Sequence, residues 1–317
     1  MSPTRPILLA GLAFVLSIPA VEAGPVYVAS QGAGALTRIE AGAGVVAASV
    51  AVGQGIAQVA AGPDGRLYLT QPDHAGIDVV DGRTNAVLRR LPFQGQAFGI
   101  VASADGASLF VGDWAGGRLV RVSAGTGAVE GSCAVGRDPA GLVLDRKGRL
   151  YVADRESRQV SVIDTARMER LATVPVGEGP FALGLNPRQD RLYVANVRSG
   201  DLSVIETGTM AVIATVKVGG MPYGVATSAD GGLVLVTNQQ AGTVVVIDAA
   251  SLDLKATIPV GRYPEGIAVD GVSAYVANWF SDSVSVIDLR SLTETARIPV
   301  AEGPRSLVVG AVSEAVR

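Results

Sequence analysis

The stretch from Pro264 to Val300, PEGIAVDGVSAYVANWFSDSVSVIDLRSLTETARIPV, contains short apolar segments separated by turn residues. Its apolar and β-branched runs predict four strands, at residues 264–270, 273–278, 283–288 and 295–300. Pro299 suits an outer edge strand, because proline cannot donate a hydrogen bond to a sheet ladder. No helical period competes with these runs, so the stretch predicts one four-stranded antiparallel sheet.

The second strand of this stretch recurs along the chain. Its aromatic or leucine residue, followed by an aliphatic one, stands at Tyr27, Tyr68, Phe110, Tyr151, Tyr193, Leu235 and Tyr275. The intervals are 41, 42, 41, 42, 42 and 40 residues. A fixed period of about 40–45 residues is typical of a β-propeller with four strands in each blade. The sequence therefore predicts an all-β, seven-bladed β-propeller of four-stranded antiparallel blades.

The two ends of the chain are out of phase with this repeat. The first predicted strand, residues 25–29, is a second strand, and the last, residues 304–309, is a first strand. We therefore predict that the C-terminal strand closes the ring as the innermost strand of a blade begun by three N-terminal strands. Such closure hides sheet edges that would otherwise pair with other chains.

The first 23 residues are set apart by composition. Arg5 precedes an apolar run from Ile7 to Ala20, and a small-x-small site ends at Ala23. This pattern predicts a signal peptide over residues 1–23. A membrane anchor is the alternative, but a spanning helix needs about 20 apolar residues. Residues 24–317 are then a single propeller domain, periplasmic or secreted, with no membrane span after signal cleavage.

The charge and the side-chain inventory disfavour several functions. A formal net charge of −3 lacks the basic excess of a nucleic-acid binder. There is no Cys-x-x-Cys-His motif for covalent heme, and one histidine, His74, cannot supply a metal site or an axial pair. Calcium could use the Asx residues that recur at second-strand ends, although turn capping is the simpler account. We therefore predict no cofactor and no metal, and expect a monomer.

Three second strands share a motif: Tyr151-Val152-Ala153-Asp154, Tyr193-Val194-Ala195-Asn196 and Tyr275-Val276-Ala277-Asn278. Together with third strands such as Val284-Ser285-Val286-Ile287-Asp288, they resemble the signature of YVTN-repeat β-propellers. The resemblance covers essentially the whole chain after residue 23. It implies an exported seven-bladed propeller and an accessory role in periplasmic quinone-cofactor redox catabolism.

Aromatic residues outside the repeated second-strand position indicate a functional face. Strand direction reverses at each hairpin, so the fourth-to-first and second-to-third connections emerge on the same face. Seven aromatic residues lie in these connections: Phe98, Trp114, Phe181, Tyr223, Tyr263, Trp279 and Phe280. An apolar patch of this kind predicts a surface for a small molecule or a periplasmic protein partner. The alternative is that the rings plug the channel mouth.

The residues that follow a repeated proline position are expected to ring that mouth: Ala57, Phe98, Ala140, Phe181, Tyr223, Glu265 and Arg305. We predict ligand or partner binding by the seven aromatics with Glu265 and Arg305, and assign no catalytic residue. The function predicted is that of an exported, non-catalytic binding propeller. Two alternatives stay open. One is a lactonase-like hydrolase or lyase acting at the channel mouth through Glu265, Arg305 and His74. The other is a scaffold without a ligand.

Overall fold

The computed structural model describes residues 24–310. They form seven four-stranded antiparallel sheets, and the first strands of neighbouring blades contact one another around the whole ring. The sheets are the blades of a β-propeller, as the repeat predicted. The predicted signal peptide, residues 1–23, lies outside the described residues. Between residues 24 and 310, no helix is long and apolar enough to cross a membrane.

In blades 2 to 7, the four strands follow one another in chain order from the axis outward, and blade 1 supplies three N-terminal strands. Blade 1 begins with β1 (Val26–Ser30), β2 (Ala35–Glu40) and β3 (Val45–Ala51). Blade 2 contains β4 (Gln58–Ala61), β5 (Arg66–Gln71), β6 (Gly76–Asp81) and β7 (Val87–Pro92). Blade 3 contains β8 (Ala97–Ala102), β9 (Ser108–Asp113), β10 (Arg118–Ser123) and β11 (Val129–Ala134). Blade 4 contains β12 (Pro139–Leu144), β13 (Arg149–Asp154), β14 (Gln159–Asp164) and β15 (Glu169–Pro175).

The remaining blades follow the same order. Blade 5 contains β16 (Pro180–Leu185), β17 (Arg191–Asn196), β18 (Asp201–Glu206) and β19 (Ala211–Lys217). Blade 6 contains β20 (Pro222–Thr227), β21 (Leu233–Asn238), β22 (Thr243–Asp248) and β23 (Leu254–Pro259). Blade 7 contains β24 (Pro264–Asp270), β25 (Ser273–Asn278), β26 (Ser283–Asp288) and β27 (Thr293–Pro299), and β28 (Pro304–Val309) follows. Short 3₁₀ helices follow the second strands of blades 2, 4 and 7, at Pro72–His74, Arg155–Ser157 and Trp279–Ser281.

The last strand closes the ring. β28 pairs with β1, so that the sheet order of blade 1 is β28-β1-β2-β3. Leu307 lies opposite Val28, and the backbone amide of Gln31 donates to the carbonyl of Gly303 at 2.8 Å. The predicted closure of three N-terminal strands by one C-terminal strand is confirmed.

Blade 7 shows how closely the repeat predicts strand bounds. Its first three strands occupy the predicted residues, but the fourth begins at Thr293, two residues earlier than predicted. The reason is a bulge: Ile287 pairs with Glu294 and Val286 with Ala296, which leaves one extra residue in β27. A bulge of this kind interrupts the period of two from which strand ends are inferred.

The hydrophobic core lies between the blades. The second-strand rings of Tyr68, Tyr151 and Tyr193 are fully buried, and this burial raises the pKa of Tyr151 to about 12. In blade 1, the hydroxyl of Tyr27 donates at 2.7 Å to the carbonyl of Gly82 in blade 2. The repeated aromatic position therefore serves packing, and the remaining aromatics need a separate account.

Candidate functional site

In six of the seven inner strands, a bulge places one residue at the mouth of the propeller. In blade 7, Pro264 pairs with Asn278 and Ile267 with Val276, so β24 has one residue more than its partner across this interval. Blades 1, 3, 4, 5 and 6 show the same shift. Bulges turn a side chain away from the regular alternation of a strand. The six residues at this position are Phe98, Ala140, Phe181, Tyr223, Glu265 and Arg305.

Three of these side chains stack across the mouth. The ring centroids of Phe181 and Tyr223 lie 4.0 Å apart, and Phe98 meets Phe181 edge to face at 5.9 Å. The guanidinium of Arg305 lies 5.5 Å from the Phe98 ring. We call Phe98, Phe181, Tyr223 and Arg305 the mouth layer. They line both a small inner cavity of 130 Å³ and a larger outer one, so the rings separate the channel from the face.

The outer cavity, here called the cup, has a volume of 310 Å³ and opens on the aromatic-rich face. Residues from six blades line it: Phe98, Trp114, Arg155, Phe181, Val197, Met221, Tyr223, Gln239, Tyr263, Glu265 and Arg305. It therefore collects Phe98, Trp114, Phe181, Tyr223, Tyr263, Glu265 and Arg305 from the predicted site. The rings close the channel, as the second reading of the aromatics predicted, and they also form the floor of a cup. That these residues bind a ligand stays a prediction.

Glu265 and Arg305 form a buried pair at the cup floor. Arg305 Nε lies 3.4 Å from Glu265 Oε2, and the two side chains are 19% and 7% exposed. Arg305 also donates to Gln31 Oε1 at 2.8 Å and to the hydroxyl of Tyr223 at 3.0 Å. Gln239 donates to Glu265 Oε1 at 2.9 Å. The guanidinium is therefore held by contacts with three side chains.

Burial controls the protonation of this cluster. It raises the pKa of Glu265 to about 7, although the positive charge of Arg305 acts in the opposite direction. Burial also raises the pKa of the Tyr223 hydroxyl, again against the effect of Arg305. Near neutral pH, Glu265 is therefore divided between its acid and carboxylate forms, while Tyr223 stays protonated.

Arg155 is the second cation of the cup. It begins the 3₁₀ helix after β13, and its guanidinium lies 5.8 Å from the Trp114 ring. The Trp114 ring in turn lies 4.4 Å from that of Phe98. The buried Nε of Arg155 has no hydrogen-bond partner among the described residues. Arg155 Nη1 lies 3.6 Å from Glu156 Oε1, so the side wall of the cup combines an aromatic surface with a paired guanidinium that has one free donor.

Sequence reasoning did not include Met221 in the site. It lines the cup and has a left-handed backbone, with a φ of 61°, directly before Pro222. Tyr263 has the same conformation, with a φ of 56°, whereas blades 5 and 1 have Gly179 and Gly303 at this position. Left-handed non-glycine residues are unfavourable and concentrate at functional sites. Blade 4 also has a non-glycine residue there, Asp138 with a φ of 54°, and it does not line the cup, so this backbone position alone did not identify Met221.

Trp279 and Phe280 lie outside the cup. They line a separate depression of 200 Å³ with Gly32, Asp282, Glu302 and Gly303. Trp279 approaches the site only through Arg305, whose guanidinium lies 5.8 Å from its ring. Phe280 is 55% exposed and its ring packs against Tyr263 at 4.9 Å. The structure therefore divides the seven predicted aromatics into five cup residues and two at the rim.

Of the residues considered for acid–base chemistry, Glu265 and Arg305 meet in the cup but His74 does not join them. His74 lies near Gly55 in blade 2 and is not among the residues that line the cup. The Asx residues at second-strand ends bond across to third strands: Asn196 and Asn278 each donate to a serine at 2.9 Å. Within residues 24–310, no group of three or more His, Cys, Asp or Glu is placed to hold a metal ion.

Comparison with known families links part of this chain to a heme domain. Residues 145–301, a little under half of the chain, match the family model described as cytochrome D1 heme domain. The matched segment contains eight of the eleven residues that line the cup, among them Arg155, Phe181, Tyr223 and Glu265, whereas Phe98, Trp114 and Arg305 lie outside it. No curated protein matches this sequence with significant similarity.

Several solved structures share the fold. Hydrazine synthase of Kuenenia stuttgartiensis is 20% identical with a TM-score of 0.72, over 80% of this chain and 88% of that chain. A functionally unknown protein from Desulfotomaculum acetoxidans is 13% identical with a TM-score of 0.76, over 90% and 98%. The dihydro-heme d1 dehydrogenase NirN, in complex with DHE, is 15% identical with a TM-score of 0.70, over 97% and 77%. At these identities the likeness shows the propeller fold.

The heme-domain match corrects two predictions made from the sequence. A non-catalytic binding propeller, with a hydrolase or lyase as the alternative, is contradicted, and so is the prediction of no cofactor. The prediction of no cofactor rested on the lack of a Cys-x-x-Cys-His motif and of a second histidine. A heme held without covalent bonds requires neither, because protein heme ligands also include single histidine, cysteine and tyrosine residues.

The cup suits the macrocycle and the carboxylates of a heme. Trp114, Phe181 and Tyr223 offer ring surfaces, and Arg155 and Arg305 offer guanidiniums for carboxylates. Glu265 Oε2 is buried without a hydrogen-bond partner, which leaves a polar atom in the lining available to a ligand. Ligand pockets in proteins span about 300–1,000 Å³. At 310 Å³ the cup is at the lower end of this range, so a large ligand would extend beyond it. No imidazole lines the cup, and we assign no iron ligand.

Proposed function

We propose that this protein binds heme d1 or a related heme in the cup and takes part in heme-dependent redox chemistry. The observation that carries the proposal is the heme-domain match over residues 145–301, which includes Arg155, Phe181, Tyr223 and Glu265 of the cup. The aromatic and cationic lining supports it independently. When bound, such a group would supply an iron centre able to exchange single electrons.

The chain's own residues have two roles in this proposal. The rings of Trp114 and of the three aromatic residues of the mouth layer give the macrocycle an apolar surface that removes its faces from water. Arg155 and Arg305 hold the carboxylates, since a guanidinium donates two parallel hydrogen bonds to a carboxylate group. Arg305 is well placed for this because Gln31, Tyr223 and Glu265 already orient it.

Two finer assignments accompany the proposal. Export to the periplasm, inferred from residues 1–23, is the proposed location. Membership of the YVTN-repeat family, inferred from the second-strand motif, stays a prediction, while the seven-bladed fold it implied is confirmed.

An absorbance titration of the purified protein with heme d1 and with heme b tests the proposal. We expect a saturable spectral change at a one-to-one ratio. Trp114→Ala and Arg155→Ala should each weaken binding by about tenfold, which corresponds to about 1.4 kcal/mol. Two exposed positions supply matched controls, Arg188→Ala and Leu254→Ala. Absence of binding, or equal affinity in the cup variants and the controls, would overturn the proposal.

A further inference from the structure

Glu265 presents an unsatisfied carboxylate oxygen at the cup. The residue is 5% exposed, and Oε2 has no hydrogen-bond partner. Its nearest charge, Arg305 Nε, lies at 3.4 Å, beyond the usual N–H···O range of about 2.7–3.2 Å. A buried oxygen of this kind is unfavourable unless a proton or a ligand satisfies it.

The charges around Glu265 come from few elements. Arg305 faces it from β28, Tyr223 from β20 and Gln239 from the loop after β21. Tyr263 precedes it on its own segment, and Arg155 lines the same cup after β13. Glu265 is the sole carboxylate in the cup lining, against two guanidiniums. An anion that binds Arg305 therefore comes close to Glu265.

A ligand carboxylate at Arg305 would place a second negative charge beside that of Glu265. Two carboxylates that share one cation do not both stay ionised in a site with little water, so one of them takes up a proton. Glu265 is the better acceptor of that proton, because burial already favours its neutral form. As an acid, it could also donate its hydrogen to the entering carboxylate.

We propose that the cup binds carboxylate-bearing tetrapyrroles with uptake of one proton by Glu265, so that ligand binding and protonation of this side chain are coupled. The inference rests on the proposed function and adds a recognition rule to it: the ligand must carry a free carboxylate. Binding forms a hydrogen-bonded pair of carboxyl groups beside Arg305, and the proton comes from solvent.

The coupling predicts a specific pH dependence. Since the pKa of Glu265 is raised to about 7, affinity should be nearly constant well below pH 7 and should fall by about tenfold per pH unit above it. Glu265→Gln carries a neutral side chain at every pH, so its affinity should stay flat. Glu178→Gln is the matched control, because Glu178 is exposed and pairs with Arg158 at the rim.

The test uses two metal-free probes: mesoporphyrin IX, which has two carboxylates, and its dimethyl ester, which has none. Fluorescence titrations at pH 6 to 8.5 give affinities, and calorimetry in two buffers of different ionisation enthalpy counts the protons taken up. We expect about one proton per mesoporphyrin at pH 7.5 in the wild type and Glu178→Gln. We expect none for Glu265→Gln or for the ester.

The outcomes separate the two proposals. If neither probe nor any heme binds at any pH, the proposed function fails and this inference fails with it. If mesoporphyrin binds without proton uptake, or if Glu265→Gln keeps the pH dependence, only the coupling is overturned. The ester checks the same point without a mutation, because equal proton uptake with the ester would also contradict the inference.

Discussion

Arg305 and Glu265 occupy the same bulge position in adjacent blades, and their side chains meet at 3.4 Å between blade 7 and the strand that closes the ring. Arg305 belongs to the last strand of the chain and Glu265 to the first strand of blade 7. One residue of this pair therefore belongs to the strand that closes the ring, and both line the cup. Arg305 also donates to Gln31, which follows β1, and to Tyr223 in blade 6. Gln239, also in blade 6, donates to Glu265.

Arg305→Ala should destabilise the fold by about 3 kcal/mol at pH 8, because it leaves Glu265 buried without a compensating charge. The loss should be smaller at pH 5, where Glu265 is neutral. Urea unfolding at the two pH values measures the difference. Arg297→Ala is the control, since Arg297 pairs with Glu294 on the surface and such pairs contribute less than about 1 kcal/mol. An equal loss at both pH values would contradict the prediction.

The free energy of unfolding should depend on pH through Glu265. Its folded pKa is raised from 4.5 to about 7, so its contribution is full below pH 4.5 and declines as the pH rises toward 7. The decline attributable to this residue amounts to about 3 kcal/mol at most. Comparison of the wild type with Glu265→Gln at pH 4.5, 6 and 7.5 measures it. Parallel curves for the two proteins would show that Glu265 does not titrate in this window.

Met221→Gly should be more stable than Met221→Ala by about 1 kcal/mol. Both changes remove the side chain, but only glycine relieves the left-handed backbone, with its φ of 61°. Thermal unfolding of the two variants measures the difference. At Leu254, an exposed position in β23, the order should reverse, because glycine weakens a regular strand. If alanine is also preferred at position 221, the backbone there is not strained.

Phe181→Ala should lower the free energy of unfolding by about 3 kcal/mol, because its ring is 7% exposed and stacks between Phe98 and Tyr223. Phe181→Leu should restore more than half of this loss by refilling the space. Phe280→Ala is the matched comparison: that ring is 55% exposed, and its removal should change stability by less than about 1 kcal/mol. Similar values for Phe181→Ala and Phe280→Ala would show that the mouth layer does not support the fold.

The candidate site was partly predictable from the repeat. The residues after the proline positions were expected at the mouth because the same step in each repeat lies at the same radius, and Phe98, Phe181 and Tyr223 meet there. Met221 was not predicted, because its side chain reaches the cup through a left-handed backbone that the residue type does not encode. Trp279 was placed on the correct face, but local sequence does not tell which depression a loop side chain lines.

The heme assignment was missed for a different reason. Two sequence motifs indicate heme: Cys-x-x-Cys-His for covalent attachment and a pair of histidines for axial ligation. The chain carries neither. The cup takes one to three residues from each of six blades, so no local motif contains it. The match over residues 145–301 reports a pattern spread over more than three blades.

By itself, the sequence determined the architecture of this protein. The interval of about 41 residues predicts the blades, and the phase of the two ends predicts how the ring closes; both follow from local strand and turn preferences. Only the tertiary structure decided that Arg305 contacts Glu265, that the rings close the channel, and that Trp279 lies outside the cup. Those contacts join residues at least one repeat apart, and their geometry depends on bulges and blade packing that a residue pattern does not specify.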